Sequence, residues 1–186
     1  MVNLGLGFRL VDILQPFNVR PATSADAAAI AQIYNHEVEN TTATFDLVPR
    51  TVAEQRQWQA ERSGAFAVIV AVRGPEVVGF GALSPYKERA AYRTTVEDSV
   101  YVRQDLARQG IGRLVLHHLL DTAVEGGFHA VMARIETRGT GSIALHHSLG
   151  FYTVGTEREV GRKFGTWLDV TLMECLLHER SDVTRG

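Results

Sequence analysis

The chain has 186 residues, which fits one domain or at most a small pair, and apolar residues make up 45% of it, enough for a hydrophobic core. Lys and Arg total 19 against 21 Asp and Glu, a formal net charge of -2. Because nucleic-acid and membrane-surface proteins normally carry a basic excess, neither kind of partner is expected, although a local basic patch could still bind a small anion.

The chain is expected to form one continuous domain over residues 18–178. It has no internal repeat, low-complexity tract or Pro/Ser-rich linker, and no run reaches the ~18 apolar residues of a membrane helix. Residues 1–17 are interpreted as an N-terminal extension, because they lack the basic start of a signal peptide and charged Arg9 and Asp12 interrupt their apolar part. Residues 179–186 are interpreted as a C-terminal tail.

Apolar periodicity and punctuating residues predict the elements in chain order. Two helix starts carry capping-box spacing, Thr23 with Asp26 and Thr51 with Glu54, and a turn at 73–76 joins two apolar runs into a hairpin. The predicted order is β-α-α-β-β-β-α-β-α-β-β. This order indicates a mixed α/β sheet rather than the strict alternation of a doubly wound fold.

The single cysteine, Cys175, lies in an apolar run near the end of the last predicted strand. It excludes a disulfide within the chain and a cysteine-based metal site, and it suits a reducing, cytoplasmic setting. We interpret Cys175 as a small core residue, with a catalytic thiol as the alternative. No metal is expected.

The segment EDSVYVRQDLARQGIGRLVLHHLL, residues 97–120, runs from a strand through Gly110 and Gly112 into a helix. A Walker A loop is excluded because no Lys-Ser/Thr pair follows the glycines. A dinucleotide-binding fingerprint fails as well, since Val115 replaces the third glycine and Asp121 comes too early to be the ribose-binding acid.

A simpler phosphate site remains possible in this segment. The first N–H groups of a helix lack internal partners and attract anions, glycines allow a ligand to approach closely, and Arg108 and Arg113 add charge. A plain tight turn is the alternative on spacing alone.

VYVRQDLARQGIG, preceded by Glu97, resembles the acetyl-CoA-binding motif of the GNAT acetyltransferases. Three more segments resemble the phosphinothricin and methionine sulfoximine N-acetyltransferase branch: VRPATSADAAAIAQIYNHEVENTTATF, YKERAAYRTTVEDSVYV and HHSLGFYTVGTEREVGRKFGTWLDVTLMECLL. The similarity extends from about Val19 to Leu177.

The resemblance implies a GNAT fold, with a mixed, mostly antiparallel central sheet flanked by helices. It also implies a homodimer and acetyl transfer from acetyl-CoA to the α-amino group of a small amino acid or analogue. The cofactor-binding residues that it implies are Val100, Tyr101 and Val102 along the pantetheine arm, Arg108, Gln109, Gly110, Ile111, Gly112 and Arg113 around the pyrophosphate, and Gly139, Ser142 and Ser148.

Two positions depart from the family pattern. Ala107 stands where the family usually has Gln or Arg, and Gly139 stands where it usually has Asn. Backbone amides can still bind a pyrophosphate, so cofactor binding is expected to survive. These departures leave open a non-catalytic CoA-binding sensor, and the retained Glu97 favours an enzyme over it.

Acetyl transfer requires a base, because an ammonium group must lose a proton before it can attack a thioester. Glu97 is the candidate, since burial on a strand would raise its pKa toward the working range; the alternative is a solvent-facing carboxylate or one paired with arginine. His146 matches a family histidine and could protonate the leaving thiolate, or it could simply pack or cap its helix.

An amino-acid substrate also requires a clamp for its acidic group. Lys87, Arg89 and Tyr92 match substrate-side positions of the family, and Arg89 is favoured because a guanidinium can grip a carboxylate with two hydrogen bonds. Phe45 could form a wall of the pocket. The alternative for Lys87, Arg89 and Tyr92 is a solvated charged loop, and the alternative for Phe45 is ordinary core packing. Another amine could also be the substrate.

Overall fold

The structure is a computed structural model, and it describes residues 16–179. The predicted extension (1–17) and tail (179–186) lie almost entirely outside the described residues. Cys175 is among the described residues and is fully buried, which confirms its interpretation as a core residue.

Between residues 16 and 179, seven strands and four α-helices follow one another in the predicted order, and the Thr51–Glu54 capping box is formed at the start of the second helix. The elements are β1 (Asn18–Pro21), α1 (Ala27–Asn40), α2 (Val52–Ala60), β2 (Ile69–Arg73), β3 (Glu76–Pro85), β4 (Thr95–Val102), α3 (Ile111–Glu125), β5 (Ala130–Glu136), α4 (Thr140–His147), β6 (Tyr152–Lys163) and β7 (Thr166–Leu176).

The strands form one sheet in the order β1-β2-β3-β4-β5-β7-β6, and every neighbouring pair is antiparallel except β4 with β5. This arrangement confirms the predicted mixed, mostly antiparallel sheet flanked by helices. The parallel pair is short, since it ends at Glu97 opposite Met132, whereas β4 stays paired with β3 as far as Val102. A gap therefore opens between β4 and β5 beyond Glu97.

Each face of the sheet carries helices. The apolar stripe of α3 packs on one face, with Leu116, Leu119 and Leu120 at most 1% exposed, and α1 packs on the other face through Ile30 and Tyr34. Because side chains alternate along a strand, even-numbered residues of β4 point toward α3 and odd-numbered ones toward α1.

A buried ion pair ties α4 to β4 beside the gap. Nε2 of His146 lies 3.1 Å from Oδ2 of Asp98, and the two side chains are only 3% and 2% exposed. Nδ1 of His146 donates to the Ser142 carbonyl at 2.7 Å, and Nε2 faces the Asp98 carboxylate. Burial lowers the pKa of His146, but the hydrogen bond and charge of Asp98 outweigh it, and the pKa is raised.

We expect His146→Gln to destabilise the domain by about 3–5 kcal/mol, because it leaves the Asp98 carboxylate buried without a cation. Since the pKa of His146 is raised on folding, its stabilisation is complete below the ordinary imidazole pKa of about 6.5 and is lost as pH rises through the raised value. Urea denaturation of both proteins over this pH range measures the difference.

The exposed pair of His117 and Asp121, 2.9 Å apart, provides the matched control. His117→Gln should change the free energy of unfolding by at most about 1 kcal/mol, as usual for surface pairs. The double variant Asp98→Asn/His146→Gln, which has no buried charge, should lose less stability than His146→Gln alone. A loss that is the same at every pH would contradict the ion-pair interpretation.

Candidate active site

The gap between β4 and β5 exposes the backbone of β4 to a ligand. The amide of Arg103 donates to the Val78 carbonyl on β3, so by alternation the amide of Tyr101 also faces β3. The amides and carbonyls of Val100 and Val102 therefore face the gap. The Tyr101 ring is in the core, stacked on Phe80 with centroids 5.1 Å apart, so neither the ring nor the backbone polar groups of Tyr101 face the gap.

The predicted glycine loop lies at the N-terminus of α3. Arg108 and Gly110 have left-handed φ values of 65° and 85°, and a Cβ at Gly110 would meet nothing within 4 Å. The amide of Leu114 donates to the Gly110 carbonyl and begins the helical hydrogen bonds, so the three preceding amides, those of residues 111–113, lack helical acceptors. Together with the exposed Arg108 and Gln109, these amides form a cradle suited to a phosphate.

The loop and α4 meet across the open end of the gap. A Cβ at Gly112 would lie 3.7 Å from a Val102 methyl and 3.1 Å from a Leu145 methyl, so the chain is closely packed here. Arg113 Nη1 donates to the Ser148 hydroxyl at 2.8 Å. The structure thus brings together Arg113 and Ser148, which were predicted separately as cofactor contacts.

Gly139 and Ser142 belong to the start of α4. The Gly139 amide donates to the Glu136 carbonyl at 2.7 Å in a tight turn that follows β5. The Ser142 hydroxyl is 3.5 Å from Nδ1 of His146, a long contact, and Ser142 is exposed. Both residues therefore lie beside the gap, on the α4 side.

Glu97 lies where the gap closes, on the face opposite His146. Burial raises its pKa; the charge of Arg134 acts against this, and the charges of Asp98 and Glu157 add to it. Arg134 is itself hydrogen-bonded to Glu157 at 2.6 Å, so it compensates Glu97 only in part. A half-buried carboxylate with a raised pKa is suited to accept a proton.

The structure does not bring the two predicted catalytic residues together. His146 is on the α3 side of β4, and both its ring nitrogens are engaged by Asp98 and Ser142. This arrangement supports the alternative interpretation, in which His146 is a packing residue, because no ring nitrogen is left to reach a leaving thiolate.

The segment between β3 and β4 carries two predicted substrate cations, and it follows the end of β3, where Ser84 pairs with Glu97. The Lys87 ammonium lies 4.6 Å from the Tyr86 ring centroid and 5.2 Å from that of Tyr92, and the Tyr92 side chain is partly exposed.

The Arg89 guanidinium is exposed and forms no ion pair with any residue that the structure describes. It is therefore available to an acidic ligand. Phe45, in the loop between α1 and α2, is 38% exposed, so it is partly accessible as a pocket wall.

The sequence interpretation missed Asp98, the partner of His146. A signal was present, because strand alternation places Asp98 on the same face as Val96 and Val100, and a carboxylate among core residues needs a partner. It also missed Arg134, which lies on β5 and acts on Glu97 through its charge. Nothing local to Arg134 in the sequence indicates this.

Neither a metal site nor a membrane-spanning helix is found in residues 16–179. No group of three or more His, Cys, Asp or Glu side chains is placed to hold a metal ion. Over the same residues, no helix combines the length and apolar character needed to cross a membrane.

Comparisons with known proteins identify the family to which the fold and the site belong. The GNAT acetyltransferase family model matches residues 30–151. An L-methionine sulfoximine/L-methionine sulfone acetyltransferase from Salmonella typhimurium is 38% identical over 166 residues, which cover 88% of this chain and 96% of the relative.

Two solved structures share the fold at similar coverage. A GNAT phosphinothricin acetyltransferase from Sinorhizobium meliloti, in complex with acetyl-CoA, has a TM-score of 0.82 and 33% identity, covering 86% of this chain and 88% of its own. A ribosomal-protein-alanine N-acetyltransferase from Brucella melitensis has a TM-score of 0.83 and 39% identity, covering 86% and 99%. The family model and these relatives show that the chain belongs to the GNAT family of acetyltransferases.

Proposed function

We propose that the protein transfers the acetyl group of acetyl-CoA to the α-amino group of a small amino acid or analogue of the methionine sulfoximine or phosphinothricin type. One observation carries the proposal: the gap between β4 and β5 closes at Glu97, a carboxylate with a raised pKa, and has an anion cradle at its open end. A long ligand with a phosphate group at one end and a reactive group at the other fits this arrangement.

Backbone groups hold most of the cofactor in this proposal. The amide groups of pantetheine pair with Val100 and Val102 as an added strand would, and the amides of residues 111–113 surround the pyrophosphate. Arg108 adds charge at the cradle. Arg113 reaches the same region while hydrogen-bonded to Ser148.

Glu97 then acts as the base. It accepts the proton that the substrate ammonium loses, directly or through one water, and the amine nitrogen bonds to the acetyl carbon. As the carbon–sulfur bond breaks, the nitrogen gives its second proton to solvent and the thiolate leaves, taking up a proton from solvent because His146 is engaged elsewhere.

Arg89 and Lys87 bind the acidic group of the substrate. Both are exposed cations on the segment that begins beside Glu97, and within residues 16–179 neither forms an ion pair. A carboxylate or phosphinate held there would leave the α-amino group near Glu97.

A protein N-terminus is the second candidate substrate, since the Brucella melitensis relative is named for ribosomal-protein alanine and is 39% identical. A peptide that begins with alanine has no carboxylate next to its amino group, so it would not need the Arg89 clamp. Turnover of such a peptide, unaffected by Arg89→Met, would favour this candidate.

The homodimer is proposed from the outer strands. β6 forms one edge of the sheet, and on β6 and β7 Val160 and Trp167 are 50% and 58% exposed. An edge strand with exposed apolar side chains is suited to pair with a second copy of the chain. The cytoplasm is proposed as the location because acetyl-CoA is the cosubstrate.

Glu97→Gln should lower kcat/KM for the amine by about 10²–10⁴-fold, the usual range for losing a general base. Because the pKa of Glu97 is raised, the wild-type rate should fall as pH drops through that raised value, and this acid limb should be absent in the variant. The assay follows CoA release from acetyl-CoA with methionine sulfoximine, phosphinothricin, common amines and an alanine peptide.

Acetyl-CoA affinity and folding serve as checks on Glu97→Gln. The dissociation constant for acetyl-CoA should be unchanged, and thermal stability at neutral pH should equal or exceed that of wild type, since burial disfavours the ionised carboxylate. Glu125→Gln, an exposed glutamate on α3, is the control. Clear acetyl-CoA binding with no turnover of any amine would overturn the proposal in favour of a sensor.

Val160→Asp should convert a dimer to a monomer, because it places a charge in the proposed apolar contact without opening the monomer core. Val124→Asp, on α3 and 52% exposed, is the control of equal exposure and should leave the assembly unchanged. Analytical ultracentrifugation measures both. A wild-type protein that is monomeric at every concentration would contradict the homodimer.

A further inference from the structure

The loop between α1 and α2 crosses the same face of the sheet as Glu97. Thr42 donates to the Glu136 carboxylate on β5 at 2.8 Å. Thr44 is hydrogen-bonded to the hydroxyl of Tyr34 at 2.9 Å, and the Tyr34 ring packs edge-on against Tyr101 of β4, 5.2 Å between centroids. These contacts hold the loop over β5 at Thr42 and over β4 at Thr44.

The next residue, Phe45, reaches a third strand. A Cβ added to Gly161 on β6 would lie 2.1, 2.5 and 3.0 Å from three ring carbons of Phe45. The φ of Gly161 lies outside the left-handed region, so an alanine could adopt its backbone conformation. Glycine is required here by the Phe45 ring and not by the backbone.

A buried lysine holds the loop two residues further along β6. Lys163 is 3% exposed, and its ammonium donates to the Thr44 carbonyl at 2.8 Å and to the Glu37 carbonyl at 3.2 Å. The first acceptor immediately precedes Phe45, and the second lies in the last turn of α1, where a cation also interacts favourably with the helix dipole.

An irregularity in β6 brings these two residues to the loop. The register passes from Glu157 opposite Val170 to Gly161 opposite Leu168, so three residues of β6 face one of β7. A bulge of this kind bends a strand and re-aims the residues that follow it.

We propose that Gly161 and Lys163 are positioning residues that set the size of the amine pocket: Gly161 provides the seat for the Phe45 ring, and Lys163 fixes the backbone that carries it. The inference rests on the proposed function, because it assigns Phe45 to the wall of the amine pocket. The cofactor side, built on the backbone of β4 and the N-terminus of α3, does not depend on this seat.

Gly161→Ala tests the seat, with Gly155→Ala as the matched control on the same strand, where a Cβ meets nothing within 4 Å. Gly161→Ala should raise KM for the amine about tenfold, the scale of a one-methylene misfit in a pocket. KM for acetyl-CoA should stay unchanged, and Gly155→Ala should behave as wild type. An unchanged amine KM in Gly161→Ala would overturn the inference.

A double-variant cycle with Phe45→Ala separates this inference from the proposed function. In thermal unfolding, which needs no substrate, Gly161→Ala should lower Tm in the wild-type background and have little effect when Phe45 is alanine. An equal loss of Tm in both backgrounds would overturn the seat even if the enzyme is active. Absence of wild-type turnover would overturn the proposed function and leave the result of the cycle standing.

Lys163→Met tests the second residue, since it keeps the length of the side chain and removes both hydrogen bonds. It should raise amine KM more than it lowers kcat and spare KM for acetyl-CoA, whereas general damage to the domain would change all three. Equal changes in both KM values would remove Lys163 from the proposal, and ultracentrifugation excludes an altered assembly as the cause.

Discussion

The short parallel pairing of β4 with β5 is the constraint on which the site depends. Three residue pairs hold the two strands together, and beyond Glu97 the backbone groups of Val100 and Val102 have no strand to pair with on that side. Backbone N–H and C=O groups need partners, so such a gap is stable only if a ligand or water completes it. The strand that contributes to the core is thus also the proposed binding surface.

The gap also needs a support that keeps α4 in place beside it. Helix α4 follows β5 directly, and the only charged pair that joins α4 to β4 in the described chain is His146 with Asp98. Because both charges are buried, the pair resists competition from solvent and salt. His146 is therefore better suited to hold α4 in position than to act as a mobile acid.

Alternation along β4 gives two adjacent carboxylates different roles. Asp98 lies 3.1 Å from the His146 ring, whereas Glu97 faces Arg134, whose charge is shared with Glu157. The pKa of Glu97 is raised because the carboxylate is buried and the charge of Arg134 neutralises it only in part. A single-residue shift of register would exchange the two environments, so the position of the proposed base is set by the sheet.

Local signals in the sequence were enough to predict the order of the elements, the capping box at Thr51 and the glycine loop, because each depends on a few consecutive residues. The partner of His146 is 48 residues away in sequence, and the seat of Phe45 is on another strand. These contacts exist only once the sheet order is known, and seven strands allow many orders.

The two departures from the family pattern fall where the structure relies on backbone. Ala107 is exposed at the start of the loop, and the cradle beyond it is made by amides that any residue would supply. At Gly139 a Cβ would come within 3.0 Å of the Glu136 carbonyl and 3.1 Å of an Ile135 methyl, so this chain turns more tightly than a side chain comfortably permits. A glycine there lacks the side chain that the family resemblance implies for the cofactor, and it leaves the backbone amides in place. Neither departure alters the shape of the gap or the backbone at the start of α3, which are the features that the proposed cofactor site uses.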